Sequence, residues 1–210
     1  MSEVVAPRTF QIGEAIRFGW ERFKDNIGPL AVAAMAVLAV NLVFSLLQRS
    51  VTGSFSRFIL GLLSFFVSQV IAMGWLRMSL NIVDGKPADV SDFFQRVDLF
   101  IPYTIASLIF SLVVAIGLVL LIVPGLYAAA TFGYYGFRVI EHERNATEAL
   151  SDSATITRGE RWHILGFIGV LILLNILGLL LLVVGVIVTL GISLIAVAYV
   201  YRQLAGPPTA

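Results

Sequence analysis

The stretch that decides the fold is LFIPYTIASLIFSLVVAIGLVLLIVPGLYAAATFGYYGF, residues 99–137, which holds no Asp, Glu, Lys, Arg or His. About 20 apolar helical residues cross a bilayer core. The run is too long for one crossing and suits two that turn back within it. Pro124-Gly125 is its strongest turn signal. A sharp turn there leaves only residues 126–137 before Arg138, too few to span. The pattern predicts that span three ends near Gly117 and that residues 118–123 form a short interfacial segment. Span four then starts at Leu126 and continues past Arg138 into water.

Working outward, residues 164–201 form a second long uncharged run. Gly178, Gly185 and Gly191 interrupt it, and residues 179–184 are the matching short segment. Residues 27–48 and 58–76 supply one span each, with Pro29 in the first turn of span one, where a missing N–H costs little. The expected fold is all-α: a polytopic membrane protein with six transmembrane helices in three hairpins, plus short interfacial helices. It is read as a single membrane domain over residues 1–210. Residues 8–26 are an N-terminal amphipathic helix and 27–80 the first hairpin. Residues 81–142 are the second hairpin with its lead-in, 143–204 a helix and the third hairpin, and 205–210 a flexible tail. Residues 1–9 lack a charged start followed by an apolar run, so no cleavable leader is expected.

Composition agrees. Of 210 residues, 59% are hydrophobic and 13% charged, against about 45–50% and about 25% in soluble domains. Mean hydropathy is +0.94. A disordered chain, a basic nucleic-acid binder and an ordinary water-soluble enzyme are excluded on these grounds. The net charge of +1 offers no bulk field for anionic partners, and the absence of cysteine removes thiol chemistry.

Charge sorting sets the orientation. With the N-terminus inside, twelve of the fourteen Lys and Arg fall on the cytoplasmic side, and only Arg49 and Arg57 fall outside. All thirteen acidic residues are also inside. This is a strong positive-inside signal. It predicts a multi-pass membrane protein with both termini cytoplasmic and its charged chemistry on that face.

Three cytoplasmic segments read as helical. Thr9 is a candidate cap for the first, where Ile12, Ile16, Trp20, Phe23 and Ile27 form an apolar stripe opposite an Arg17–Glu21 pair. Two uses of the stripe are open: lying in the headgroup plane, or packing on the protein's own helix ends. In the second segment Asp84-Gly85-Lys86-Pro87 is a turn and Ser91 opens a short helix into span three, with Pro102 tolerated in that span's first turns. In the third, Asn145-Ala146-Thr147-Glu148 fits a capping box. Ala146, Ala149, Leu150, Ser153, Ala154 and Thr157 make one small-residue face, and Gly159 is the expected C-cap. Returning spans end in Trp75-Leu76-Arg77, Phe137-Arg138 and Tyr201-Arg202, and Trp20, Phe94 and Trp162 precede outgoing ones. The pattern suggests three similar hairpins, although aromatics and arginines mark most span ends.

Candidate chemistry is sparse. No ionisable residue sits mid-span, where ion-coupled transporters place them. Asn41, Gln69, Thr104, Ser107, Ser111, Thr131, Asn175 and Thr189 are polar spots suited to hydrogen bonds between helices. A solute path would need Asn41, Gln69 and Asn175 to converge. Ala129, Gly133 and Gly136 are a candidate helix-packing face, as are Gly166 and Gly169. Arg158, Arg161, Trp162 and Trp20 are candidate lipid-headgroup contacts. Glu141, His142, Glu143 and His163 resemble a metal cluster in composition, but their spacing matches no helical ligand motif. No metal site, catalytic residue or cofactor is expected.

Ile122-Val123-Pro124-Gly125, Glu141, Glu148-Ala149-Leu150, Ser153, Thr157-Arg158-Gly159 and Trp162 together resemble the glycerophosphoryl diester phosphodiesterase membrane-domain superfamily and related uncharacterised bacterial membrane proteins. Phe10-x-Ile12-x-x-Ala15 with Gly19-Trp20 resembles its N-terminal lead-in, and Tyr199-Val200-Tyr201-Arg202 its final span. The resemblance implies a six-helix membrane domain, in some relatives fused to a phosphodiesterase barrel. That barrel needs histidines and metal-binding carboxylates, and this chain has two histidines and no room for it. The expectation is a non-enzymatic scaffold or accessory subunit, in contact with membrane lipids and a membrane-protein partner or further copies of itself, without nucleic acid. The alternative is a transporter or permease for a lipid-like or amphipathic solute.

Overall fold

The computed structural model describes residues 10–142 and 144–206, with the backbone alone for residues 182–184. Arg8, the Thr9 cap, Glu143 and residues 207–210 of the expected tail lie outside the described residues. The described chain is helical: α1 (Ile12–Asp25), α2 (Ile27–Ser50), α3 (Ser54–Val83), α4 (Phe100–Leu120), α5 (Ile122–Phe132), α6 (Tyr135–His142), α7 (Ala146–Ile156), α8 (Arg161–Leu180) and α9 (Leu182–Ala205). Two single 3-10 turns, Val90–Phe93 and Val97–Leu99, lead into α4. Five stretches among the described residues are long and apolar enough to cross a membrane: Ile27–Ser50, Ser54–Val83, Val90–Leu120, Arg161–Leu180 and Gly185–Ala205.

The expected fourth span takes another form. The chain breaks at Gly133-Tyr134 into α5 and α6 instead of forming one long helix. At about 1.5 Å per residue, α5 reaches only about 16 Å, half of a bilayer core. The break is stable because α7 supplies the hydrogen bonds the helix gives up. Ser153 Oγ accepts from Tyr134 N at 3.2 Å and donates to Thr131 O at 3.0 Å. Thr157 Oγ1 donates to the same Thr131 O at 3.1 Å. The small-residue face of α7 thus does two jobs: Ala149 lets the helices approach, and the buried hydroxyls satisfy broken backbone.

Neither expected interfacial segment forms. α4 runs on to Leu120 and turns at Leu121 alone, so Pro124-Gly125 marks the first turn of α5 and not the bend. Likewise α8 continues to Leu180 and α9 begins at Leu182. Glycine pairs allow both tight hairpins. A Cβ on Gly117 would lie 2.7 Å from Gly125 Cα, and one on Gly185 would lie 2.3 Å from Gly178 O. Gly191, expected to break the run, stays helical and makes room for the Phe23 ring.

The capping expectations shift as well. Asn145 is the N-cap of α7, but its side chain makes no capping bond, and Glu148 pairs with Arg144 instead. A reciprocal capping box forms at Asp89 and Asp92. α7 ends one turn before Gly159, with Thr157 as C-cap, and Gly159 follows at φ +93°.

α1 packs along α9, but on a face that shares only Phe23 with the expected stripe: Ile12 and Ile16 are half-buried, and Trp20 and Ile27 are exposed. Ala15, Gly19 and Phe23 are buried, Phe18 stacks on Tyr199 at 4.5 Å, and a Cβ on Gly19 would meet Ile192 O at 2.7 Å. The charged residues Glu14, Arg17, Glu21, Lys24 and Asp25 face outward. The core sits in this charged half of the molecule, with Phe137, Ile164, Phe167, Ile195, Val200 and Tyr201 buried there. Where water borders a packed surface, apolar burial contributes about 25 cal/mol per Å². Among lipid tails that driving force vanishes. Correspondingly, no residue between Ala33 and Met73 is buried.

Candidate functional site

The densest chemistry lies where the three returning helices end. Asp84 follows α3, in the turn that Gly85 closes at φ +71°. Glu141 lies on α6, and Tyr201 and Arg202 on α9. Arg202 grips Asp84 in bidentate fashion, Nε to Oδ1 at 2.8 Å and Nη2 to Oδ2 at 2.7 Å. Its Nη1 donates to Glu141 Oε1, and Tyr201 OH donates to Glu141 Oε2 at 2.5 Å. The three charged side chains are only 11–14% exposed. One guanidinium therefore ties together the ends of all three hairpins.

A second cluster adjoins it. His142 Nε2 lies 3.6 Å from Glu141 Oε2 and 3.0 Å from Arg138 Nη1. Arg138 Nη2 donates to Asp152 Oδ2 at 3.0 Å, and Arg144 reaches the same oxygen at 3.3 Å. Burial, and then the Arg138 charge, push His142 below its ordinary value of 6.5. A neutral ring can accept the Arg138 proton donor, which fits the contact. Asp84, Glu141 and Asp152 each face an arginine, an arrangement that holds their charge in place.

The metal-like cluster does not assemble. His142 belongs to the Arg138 and Glu141 group, whereas His163 sits 3.9 Å from Glu160 and edge-on to Phe10 at 5.2 Å. Among the described residues no three metal-ligating side chains stand together.

Arg158, Trp162 and Trp20 are exposed, as lipid contacts require. Arg161 is engaged within the protein: it donates to Tyr127 OH and to Ala154 O, and stacks over the Tyr127 ring at 5.1 Å. Of the expected packing face, Gly136 is buried, and a Cβ there would meet Leu76 at 2.6 Å. Ala129 is half-buried on α5, and Gly133 is exposed at the break, so the three share no continuous face. Gly166 faces Ile12 of α1, and Gly169 opens outward.

The mid-span polar residues stay apart. Gln69 donates to Ser107, Asn175 to Ser193 and to its own helix, and Asn41 only to its own helix. Two apolar grooves flank α2. One, of about 340 Å³, runs past Val37, Val67 and Phe93. The other, of about 600 Å³, runs past Phe23, Leu38, Trp75 and Leu190.

Sequence reading missed the Asp84–Arg202–Glu141 lattice, whose partners stand 118 and 61 positions apart. The recurring aromatic-plus-arginine ending was its one visible trace.

No family model matches the chain, and no solved structure matches it. The resemblance to the phosphodiesterase membrane-domain superfamily therefore rests on the residues alone. The chain is similar to the uncharacterized protein Rv2560 of Mycobacterium tuberculosis, 25% identical over an alignment that covers 94% of this chain and 69% of that protein. It is likewise similar to the uncharacterized protein Mb2590 of Mycobacterium bovis, 26% identical with the same coverage. What these findings and the apolar helices support together is an integral membrane protein similar to uncharacterised bacterial proteins.

Proposed function

We propose that this chain is a non-catalytic scaffold or accessory subunit of a complex in a bacterial inner membrane, with three hairpins entering from the cytoplasmic side and both termini there. The carrying observation is the contrast between its two parts. The charged layer is tied together by ion pairs, and α2–α3 buries no residue between Ala33 and Met73. A helix pair with no buried residue between Ala33 and Met73 offers its surface to another membrane protein or a second copy. Exposed Arg158, Trp162 and Trp20 add contact with lipid headgroups. Affinity purification in mild detergent tests the reading. A stoichiometric membrane partner or a homo-oligomer that survives washing supports it. Repeated recovery of a lone monomer carrying bound substrate overturns it.

The grooves beside α2 favour the second reading, a transporter for a lipid-like solute. That reading requires a polar path, and the separation of Asn41, Gln69 and Asn175 supplies none. Solute uptake into vesicles containing the purified chain would decide for it.

A further inference from the structure

The apolar runs predict hairpins of similar depth, but their packing differs. Water or headgroups must reach the exposed charges of α1. That helix lies on α9, with its Phe23 ring against Gly191. Lys24 and Asp25 come after Phe23 and are exposed, so the polar boundary lies at the level of Gly191 or beyond it. From Gly191 the chain has nine residues left to the start of α9, about 14 Å of rise. The second hairpin gives the same length independently. Thr131 is bonded to Ser153 and Thr157 of the α7 segment, whose neighbours Ser151, Thr155 and Arg158 are exposed. From Thr131 to Ile122 is again nine residues, about 14 Å. Rise along a helix is the most depth it can supply, and the hydrocarbon core is about 30 Å thick. From Trp75, which lines the same groove as Phe23 and Gly191, α3 runs about 32 Å to Ser54, a full crossing.

The three turns are built accordingly. The α2–α3 turn carries Arg49, Thr52 and Arg57, with Arg57 Nε donating to Val51 O at 3.0 Å. Residues 119–123 and 179–181, at the other two tips, are all aliphatic and 62–86% exposed. Their backbones are also prepared for a solvent that offers no hydrogen bonds. Leu121 N donates to Gly117 O at 3.0 Å and Leu181 N to Gly178 O at 3.1 Å, and Pro124 removes a donor from the first turn of α5.

We propose that α2–α3 alone crosses the bilayer, and that α4–α5 and α8–α9 are half-depth hairpins whose tips contact acyl chains near the membrane centre. Both enter from the leaflet on the side of the termini. The chain then fills that leaflet with three hairpins and the opposite leaflet with one. The inference rests on the membrane reading and not on which side is cytoplasmic.

The natural chain has no cysteine, so single-cysteine variants report cleanly. Thr52→Cys, Lys86→Cys, Leu121→Cys and Leu181→Cys would be probed with a membrane-impermeant maleimide in right-side-out and inverted vesicles. Thr52→Cys is expected to label from one side only and Lys86→Cys from the other. Leu121→Cys and Leu181→Cys are expected to resist reagent from both sides until SDS dissolves the membrane. Spin labels at the same two positions should show high oxygen and low nickel-chelate collision rates, as at the bilayer centre. Labelling of either tip from the Thr52 side, or interfacial collision rates there, overturns the proposal. Val119→Cys and Leu180→Cys serve if a tip variant fails to insert. An inverted orientation would exchange the Thr52 and Lys86 results while leaving the tips protected, so the two ideas fail separately.

Discussion

Replacing Ser153 by alanine removes one oxygen from a fully buried site, and the consequence can be worked out from its bonds. The Tyr134 N–H loses its acceptor, and Thr131 O keeps only Thr157 as a side-chain donor. A buried donor left without a partner costs about 1–3 kcal/mol, and the lost hydroxyl-to-carbonyl bond adds about 1 kcal/mol. Against this, Ser→Ala inside a helix returns about 0.5 kcal/mol of propensity. The net loss is about 1.5–3.5 kcal/mol, a roughly 10- to 300-fold fall in the folded-to-unfolded ratio. Ser151→Ala is the matched control, since it makes the same change on an exposed face of the same helix. Reversible SDS titration of both variants in mixed micelles measures the difference, and hydrogen exchange at the Tyr134 amide locates it. If Ser153→Ala lies within about 0.5 kcal/mol of Ser151→Ala, the hydroxyls do not hold the α5–α6 break.

Two other outcomes are expected. Arg202→Met leaves Asp84 and Glu141 buried without their cation and should cost about 3–5 kcal/mol in the same titration; adding Asp84→Asn and Glu141→Gln should recover part of it, and no recovery would mean that lost packing dominates. His142, facing Arg138, Glu141, Arg144 and Asp152, has a folded value below its ordinary 6.5. Its contribution is therefore present above 6.5 and lost as pH falls through the lowered value. The unfolding midpoint should drop on acidification more in the natural chain than in His142→Gln; equal drops would remove the histidine from the explanation.

The legible part of the fold was the part written in neighbouring residues. Uncharged runs gave the hairpins, and α2 and α3 formed where the first two spans were expected. The misreadings share a cause. Run length suggests a separate segment at residues 118–123 and 179–184, because it says how far a helix can reach, not how far it does. A glycine pair closes each turn within a single residue, which is visible only when both helices are in place. The α5–α6 break was likewise hidden, since nothing near Gly133-Tyr134 shows that Ser153 and Thr157 will replace its lost hydrogen bonds. The candidate site was legible only in outline: the charge was known to gather at one end, and its pairing was not.

By itself, then, the sequence determined the solvent. With 59% hydrophobic and 13% charged residues, nearly all the latter on one side of long unbroken apolar runs, this chain satisfies its backbone in lipid as helices. The tertiary structure alone decided which charges pair and how closely the helices pack. Arg202 meets Asp84 and Glu141, and Phe23 of α1 reaches Gly191, only because helices distant in sequence pack side by side. Hydropathy is a property of single residues and survives reading one position at a time. Ion pairing and depth depend on distances between residues, and the packed chain alone sets those.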